Sequence, residues 1–171
     1  MPPLEDILCD RPRILFVGIN PSLTSARLGH HFAGPGNPFW RLLHAAGLVS
    51  EPIGHADDRR LPAWGLALTN LCPRATRAAS ELTTEEIRAG CRRLRRKVLR
   101  LRPSVVAFVG LSIYQQCCGR DATPGPGGKP HDLAGARVFV LPNPSGLNAS
   151  FPGFQDKVIW YRALARYRAG G

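Results

Sequence analysis

From Thr83 to Gly110 the chain reads TTEEIRAGCRRLRRKVLRLRPSVVAFVG, and the reading of this stretch decides the fold class. Thr83 and Glu86 form a capping box, in which a hydroxyl and a glutamate three residues on satisfy backbone N–H groups that a helix start leaves without partners. Ile87, Cys91, Leu94, Val98 and Leu101 follow at spacings of four, three, four and three, one face of a 3.6-residue helix. Pro103 ends it. The run Val105–Gly110 that follows is continuously apolar, as in a strand covered on both faces. Working outward, similar runs occur at Arg13–Gly18, Gly65–Leu71 and Arg137–Leu141. Helical patterns occupy Phe39–Ala46 after Pro38, Leu111–Cys118 and Asp156–Tyr167. Strand and helix alternate, which predicts an α/β chain: a three-layer α/β/α sandwich around a central, mainly parallel sheet of four to five strands. The segment Ala122–His131, with Pro124-Gly125-Pro126-Gly127-Gly128, reads as the one flexible loop.

A chain of 171 residues, 44% hydrophobic and 20% charged, predicts one folded domain spanning 1–171. Its 23 basic and 12 acidic residues give a net charge of +11, carried by 20 Arg and only 3 Lys (Lys97, Lys129, Lys157). Such a charge attracts polyanions, although a GC-rich coding bias enriches Arg as well. The helix after Thr83 concentrates the charge: Arg92, Arg93, Arg95, Arg96, Arg100 and Arg102 face away from its apolar stripe. That face is either a phosphate-binding stripe or an ordinary solvated surface. No apolar run reaches the roughly 18 residues of a membrane span, and Met1–Arg11 lacks a signal-peptide core, so a cytoplasmic location is expected. Five cysteines (Cys9, Cys72, Cys91, Cys117, Cys118), without a Cys-x-x-Cys pair, point to neither a disulfide framework nor a metal site. Most of them read as small buried side chains.

In open parallel sheets the site forms beyond the carboxyl ends of the strands. The segments there are Gly18-Ile19-Asn20-Pro21-Ser22, Thr69-Asn70-Leu71, Val109-Gly110-Leu111 and Pro142-Asn143-Pro144-Ser145-Gly146-Leu147. Pro21 pushes Asn20 out of the α region, so the Asn side chain is free to face a cleft. Read alone, this is also an ordinary Asn-Pro turn. Phe32 either stacks on a flat base or belongs to the core, whereas Phe39 and Trp40 read as core. His30 and His31 are adjacent, a poor arrangement for one metal ion.

None of the four strand-end segments holds an acid, which removes the two-carboxylate glycosidase reading. The Gly-x-Ser-x-Gly elbow and the Gly-x-x-x-x-Gly-Lys-Ser/Thr phosphate loop are both absent, and the first turn lacks the glycine pair of a dinucleotide fingerprint. The expected site is neutral, built from amides and hydroxyls.

Taken together, Gly18-Ile19-Asn20-Pro21, Gly29-His30-His31-Phe32-Ala33-Gly34-Pro35-Gly36-Asn37-Pro38-Phe39-Trp40 and Leu141-Pro142-Asn143-Pro144-Ser145-Gly146-Leu147-Asn148 closely resemble the mismatch-specific uracil/thymine-DNA glycosylases of the uracil-DNA glycosylase superfamily. The segments around Asn70, Arg74 and Thr76 and around Phe151–Val158 resemble them too. The resemblance implies a monofunctional glycosylase that flips uracil out of a mismatched duplex, preferentially opposite guanine, and hydrolyses its N-glycosidic bond. Thymine or modified pyrimidines are further implied substrates; a non-cleaving sensor of damaged bases, or a glycosylase for another lesion, are the alternatives. It implies Asn20 as the catalytic, water-positioning residue, with Gly18, Pro21 and Ser22 beside it. Ile19, His31, Phe32, Asn70, Thr76 and Asn143 become base-pocket residues. Ser145, Gly146, Leu147 and Asn148 become the loop that enters the duplex, Leu147 as the wedge. Ser22 stands where the family usually has Gly, and Phe32 and Leu147 follow the bacterial rather than the animal branch. The implied protein is a monomer that needs no cofactor and no metal, partners double-stranded DNA with a G:U or related mismatch, contacts no membrane, and associates with the nucleoid through its DNA. The chemistry is consistent with these roles: extruding a base costs a few kcal/mol, offset by a wedge and a base-sized slot.

Overall fold

A computed structural model describes residues 3–145 and 150–169. Five strands form one sheet in the spatial order β2-β1-β3-β5-β4: β1 (Ile14–Gly18), β2 (Leu66–Asn70), β3 (Val105–Val109), β4 (Gly127–Gly128) and β5 (Arg137–Leu141). The first three and β5 run parallel, and β4 pairs antiparallel with β5 at the edge. The four strands expected from the sequence are the four parallel ones. The helices are α1 (Leu23–Leu28), α2 (Phe39–Ala45), α3 (Thr84–Leu101), α4 (Leu111–Cys118) and α5 (Phe154–Ala169), and His55–Trp64 adds a 3-10 segment.

The period-2 geometry of the strands sorts their apolar residues into two cores. Ile14, Phe16, Leu66, Leu68, Ala107, Phe139 and Leu141 face the layer that contains α2 and α5. Leu15, Val17, Ala67, Val106, Phe108, Val138 and Val140 face α3 and α4. Both faces of β1 are fully covered, so truncating Phe16 to Ala would leave a cavity worth roughly 3–5 kcal/mol.

The capping box at the start of α3 is present, with Thr83 Oγ1 accepting from Glu86 N and Glu86 Oε2 accepting from Thr83 N. Arg102, in the left-handed region, and Pro103 end the helix. Gly90 lets α3 pack tightly on the residue that follows β2: a Cβ there would lie 2.5 Å from the carbonyl oxygen of Leu71.

Two expectations need correction. Cys91 on α3 and Cys117 on α4 are joined by a disulfide, their Cα atoms 5.4 Å apart. Pairing depends on proximity, and the crossover that lays α3 beside α4 supplies what no spacing in the sequence reveals. The segment Ala122–His131 is not a free loop. It contains β4, and the buried Lys129 ties it together by donating to the carbonyls of Thr123, Pro124 and Gly125 while sitting over the Tyr114 ring. No described helix is long and apolar enough to cross a membrane.

Candidate active site

The parallel register sets Gly18 opposite Asn70 and Val109 opposite Leu141, so the carboxyl ends of the strands line up along one edge of the sheet. A cavity of about 210 Å³ opens there, lined by Gly18, Ile19, Asn20, Pro21, Ser22, His31, Phe32, Asn70 and Asn143 among others. It is smaller than the roughly 300–1,000 Å³ pockets that take drug-sized ligands, and so suits a single ring.

The loop after β1 is clamped by the loop after β2. Leu71 N donates to Gly18 O at 2.8 Å, Cys72 N to Ile19 O at 2.9 Å and Thr76 N to Pro21 O at 3.3 Å, extending the β1–β2 pairing past the sheet. Within this clamp Asn20 Nδ2 donates to Arg74 O at 2.9 Å and to Thr76 Oγ1 at 2.8 Å. Thr76 spends its own proton on Ala78 O at 2.8 Å, so toward Asn20 it is an acceptor only. Both groups facing the Asn20 amide are therefore acceptors, which fixes its nitrogen on that side. Oδ1 is the atom left to offer the cavity.

Arg74, whose carbonyl completes this arrangement, is held by Glu86 at 2.7 and 3.0 Å and donates to Glu81 O. The Arg74 guanidinium first, and then the Thr83 N–H, keep the Glu86 carboxyl well below the usual carboxylate range, at about 2.

The opposite wall is aromatic. Phe32 adopts φ +50°, a left-handed conformation that costs a non-glycine residue about 1–3 kcal/mol. Hydrogen bonds on both sides hold it: His31 N donates to Asp58 Oδ2, Ala33 N to Ser25 Oγ, and Trp40 Nε1 to His31 O. The Phe32 ring stacks on Phe39, centroids 4.0 Å apart at 20°, and also lines the cavity. Phe39 and Trp40 are core, as expected.

His31 is 2% exposed. Burial pushes its pKa down, the Glu5 carbonyl opposing the shift, so the imidazole is neutral. Nε2 lies 2.7 Å from Glu5 O and must carry the proton. Nδ1 is then a lone pair, and the Asn70 atom 3.5 Å from it is the donor Nδ2. Asn70 Oδ1 turns toward Gly18, where an added Cβ would meet it at 2.7 Å.

Most of the residues singled out in the sequence meet at this cavity, with exceptions. Thr76 lies behind Asn20 rather than among the cavity-lining residues, so it positions the amide and does not form the pocket wall. Ser22 lines the cavity and also caps α1: its Oγ accepts from Ser25 N at 3.0 Å and pairs with Ser25 Oγ at 3.1 Å. Asn143 Oδ1 accepts from Ser145 N at 2.9 Å, and these two residues also border an adjoining 360 Å³ groove with Ser112, Ser150 and Phe151. Gly146, Leu147 and Asn148 lie outside the described residues. Beyond that segment, Lys157 on α5 is buried and donates to Pro152 O. Sequence reasoning missed Asp58, 1% exposed, which binds both His31 N and His30 Nδ1 from the 3-10 segment. It also missed Leu4 and Glu5 at the start of the chain, the first lining the cavity and the second supplying only a carbonyl.

The family model described as the uracil DNA glycosylase superfamily matches residues 5–165. A G/U mismatch-specific uracil DNA glycosylase from Schizosaccharomyces pombe is 35% identical over 166 residues, covering 92% of this chain and 51% of the relative. The chain thus spans about half the length of the curated relative it matches. A solution NMR structure from Methanosarcina acetivorans, described as a candidate uracil DNA glycosylase, superposes with a TM-score of 0.68 at 21% identity, covering 98% of this chain and 97% of its own. That likeness bears on the fold alone.

Proposed function

The chain belongs to the uracil DNA glycosylase superfamily, and from that premise we propose that it removes uracil from duplex DNA, preferentially opposite guanine, by water-mediated hydrolysis of the N-glycosidic bond. The observation that carries the reading is the orientation of Asn20. With Nδ2 committed to Arg74 O and Thr76 Oγ1, Oδ1 is set as an acceptor at the mouth of a ring-sized cavity, where it aligns a water for attack on C1′. The departing base gains negative charge while the sugar gains positive charge, so a neutral site of placed dipoles suits the reaction. Phe32 stacks on the flipped base, Ile19 packs against it, and Asn70, aligned by neutral His31, meets its polar edge.

A neutral amide activates water less than a carboxylate does, so turnover is slow and depends on a good leaving group and an easily opened pair. Uracil opposite guanine meets both conditions, because a mismatched base is the least costly to extrude. The reading takes the protein to be one domain acting as a monomer, with Ser145, Gly146, Leu147 and Asn148 entering the duplex and Leu147 as the wedge. Ser22 lines the cavity with its Oγ held in the α1 cap, which supports uracil rather than an enlarged lesion as the preferred base.

The test is base release from labelled duplexes carrying G:U, G:T and A:U pairs and from single-stranded uracil, read as strand cleavage after alkali, with wild type and Asn20→Ala. The expected result is excision from G:U first, and a fall of about a hundredfold or more for Asn20→Ala under single turnover. Tight binding of these duplexes without base release would make the protein a sensor instead.

A further inference from the structure

The arginine face of α3 takes no part in the site described above. From Ile87 to Arg102 this helix and its cap hold seven Arg, Lys97 and no acid, both helix glutamates lying in the first turn. Lys97 pairs with Asp6, and Arg93 donates to Leu71 O at 3.1 Å. Arg88, Arg92, Arg95, Arg96 and Arg100 are exposed, and among the described residues none of these five side chains has an ion-pair or hydrogen-bond partner. Arg88, Arg92, Arg96 and Arg100 follow one another at i, i+4 spacing, where like charges weaken a helix. A face that keeps this repulsion and has no counter-charge on the protein is complementary to a polyanion.

Its length and direction narrow the partner. From Arg88 to Arg100 the helix rises about 18 Å. A duplex carries one phosphate charge per roughly 1.7 Å of axis, so about ten phosphates fall within that length. Because α3 returns the chain from the carboxyl end of β2 to the amino end of β3, the stripe runs along the flank of the sheet. Its Arg88 end lies two residues from Glu86, which holds Arg74 beside the cavity, and the stripe runs away from that edge, so the arginines of residues 92–100 face phosphates beyond those beside a base held in the cavity.

We infer that the exposed face of α3 is a second nucleic-acid surface, a lesion-independent track for the phosphate backbone of duplex DNA. The track does not depend on the glycosylase reading, since it needs no damaged base and no chemistry.

The experiment compares wild type with Arg92→Gln/Arg95→Gln/Arg96→Gln/Arg100→Gln, measuring affinity for an undamaged duplex by fluorescence anisotropy from 50 to 300 mM salt, on the order of the range over which counterion release is read. The slope of log K against log salt should shrink by about 3 to 4, near 0.9 for each of the phosphates no longer neutralised. Single-turnover excision from a G:U duplex at saturating enzyme should stay within about twofold of wild type, since no substituted residue touches the cavity. Arg92→Gln/Arg96→Gln, read the same way, should shrink the slope by about 1 to 2 and serves if the fourfold variant does not fold. An unchanged slope in a folded variant overturns the inference. Polyglutamate competing as well as duplex at equal charge also overturns it, in favour of an acidic protein partner. Should wild type excise nothing while the slopes still differ, the glycosylase reading falls and the track stands.

Discussion

Two sides of the cavity, at Asn20 and at Asn143, obtain their geometry over different distances along the chain. Asn20 is oriented by Arg74 and Thr76, which lie 54 and 56 residues away, and by a backbone clamp that exists only because β1 and β2 pair in register. Asn143 hydrogen-bonds the N–H of Ser145, two residues on, and so organises a turn of its own. The Asn20 side is therefore a product of the sheet, while the Asn143 side chain also shapes the turn that leads into the segment proposed to enter DNA. Substitutions far from Asn20 in sequence should disturb catalysis, and those near Asn143 should disturb duplex engagement.

The largest break is expected at the floor between them. Gly18→Ala places a Cβ 2.7 Å from Asn70 Oδ1, and Asn70 can yield only by leaving His31. Overpacking of this kind costs about 1–3 kcal/mol, so single-turnover excision from G:U duplex should drop by about tenfold or more.

Thr76→Val keeps the shape but removes the acceptor from Asn20 Nδ2. Losing one buried partner costs about 1–2 kcal/mol, which predicts a rate about 5- to 30-fold lower with duplex affinity unchanged. Asn143→Ala should weaken duplex binding about fivefold or more, the bond to Ser145 N alone being worth about 1 kcal/mol, while lowering the saturated rate less than Thr76→Val does.

This asymmetry also explains what the sequence disclosed. The strands were legible because five-residue apolar runs end in turn residues, and α3 because its cap, stripe and stop are contiguous. Asn20, Phe32 and Asn70 were legible as strand-end or pre-helix residues within recognisable motifs. Asp58 was not, since an Asp57-Asp58 pair in a charged stretch looks like surface until the 3-10 segment packs it beneath His31. Glu5 acts through a carbonyl, which no side chain advertises. Thr76 is a pocket residue by the family resemblance, whereas the turn at Arg74 carries it behind Asn20. Cys91 and Cys117 meet through helix packing, with no spacing signal to announce it.

The outer support of the Asn20 wall should be sensitive to acid. The Glu86 carboxyl sits at about 2 in the folded protein, below its unfolded value of about 4.3, so the stabilisation from Arg74 is fully present above the unfolded value. It is lost as the pH falls from there through the folded value. The difference in Tm between wild type and Glu86→Gln should be constant above about pH 5 and shrink between about pH 4 and pH 2. A difference that grows on acidification would reverse the sign and sink the assignment. Ser22→Gly should have the smallest effect. Replacing a hydroxyl N-cap by Gly costs only a few tenths of a kcal/mol, so Tm should fall slightly and the preference for G:U should not move.

The central claim is that Thr76 acts on catalysis through the orientation of Asn20, and a double-mutant cycle on single-turnover excision tests it most directly. Thr76→Val should slow wild type by about tenfold yet have no effect in the Asn20→Ala background, because the amide it orients is gone. Equal slowing in both backgrounds would contradict the account.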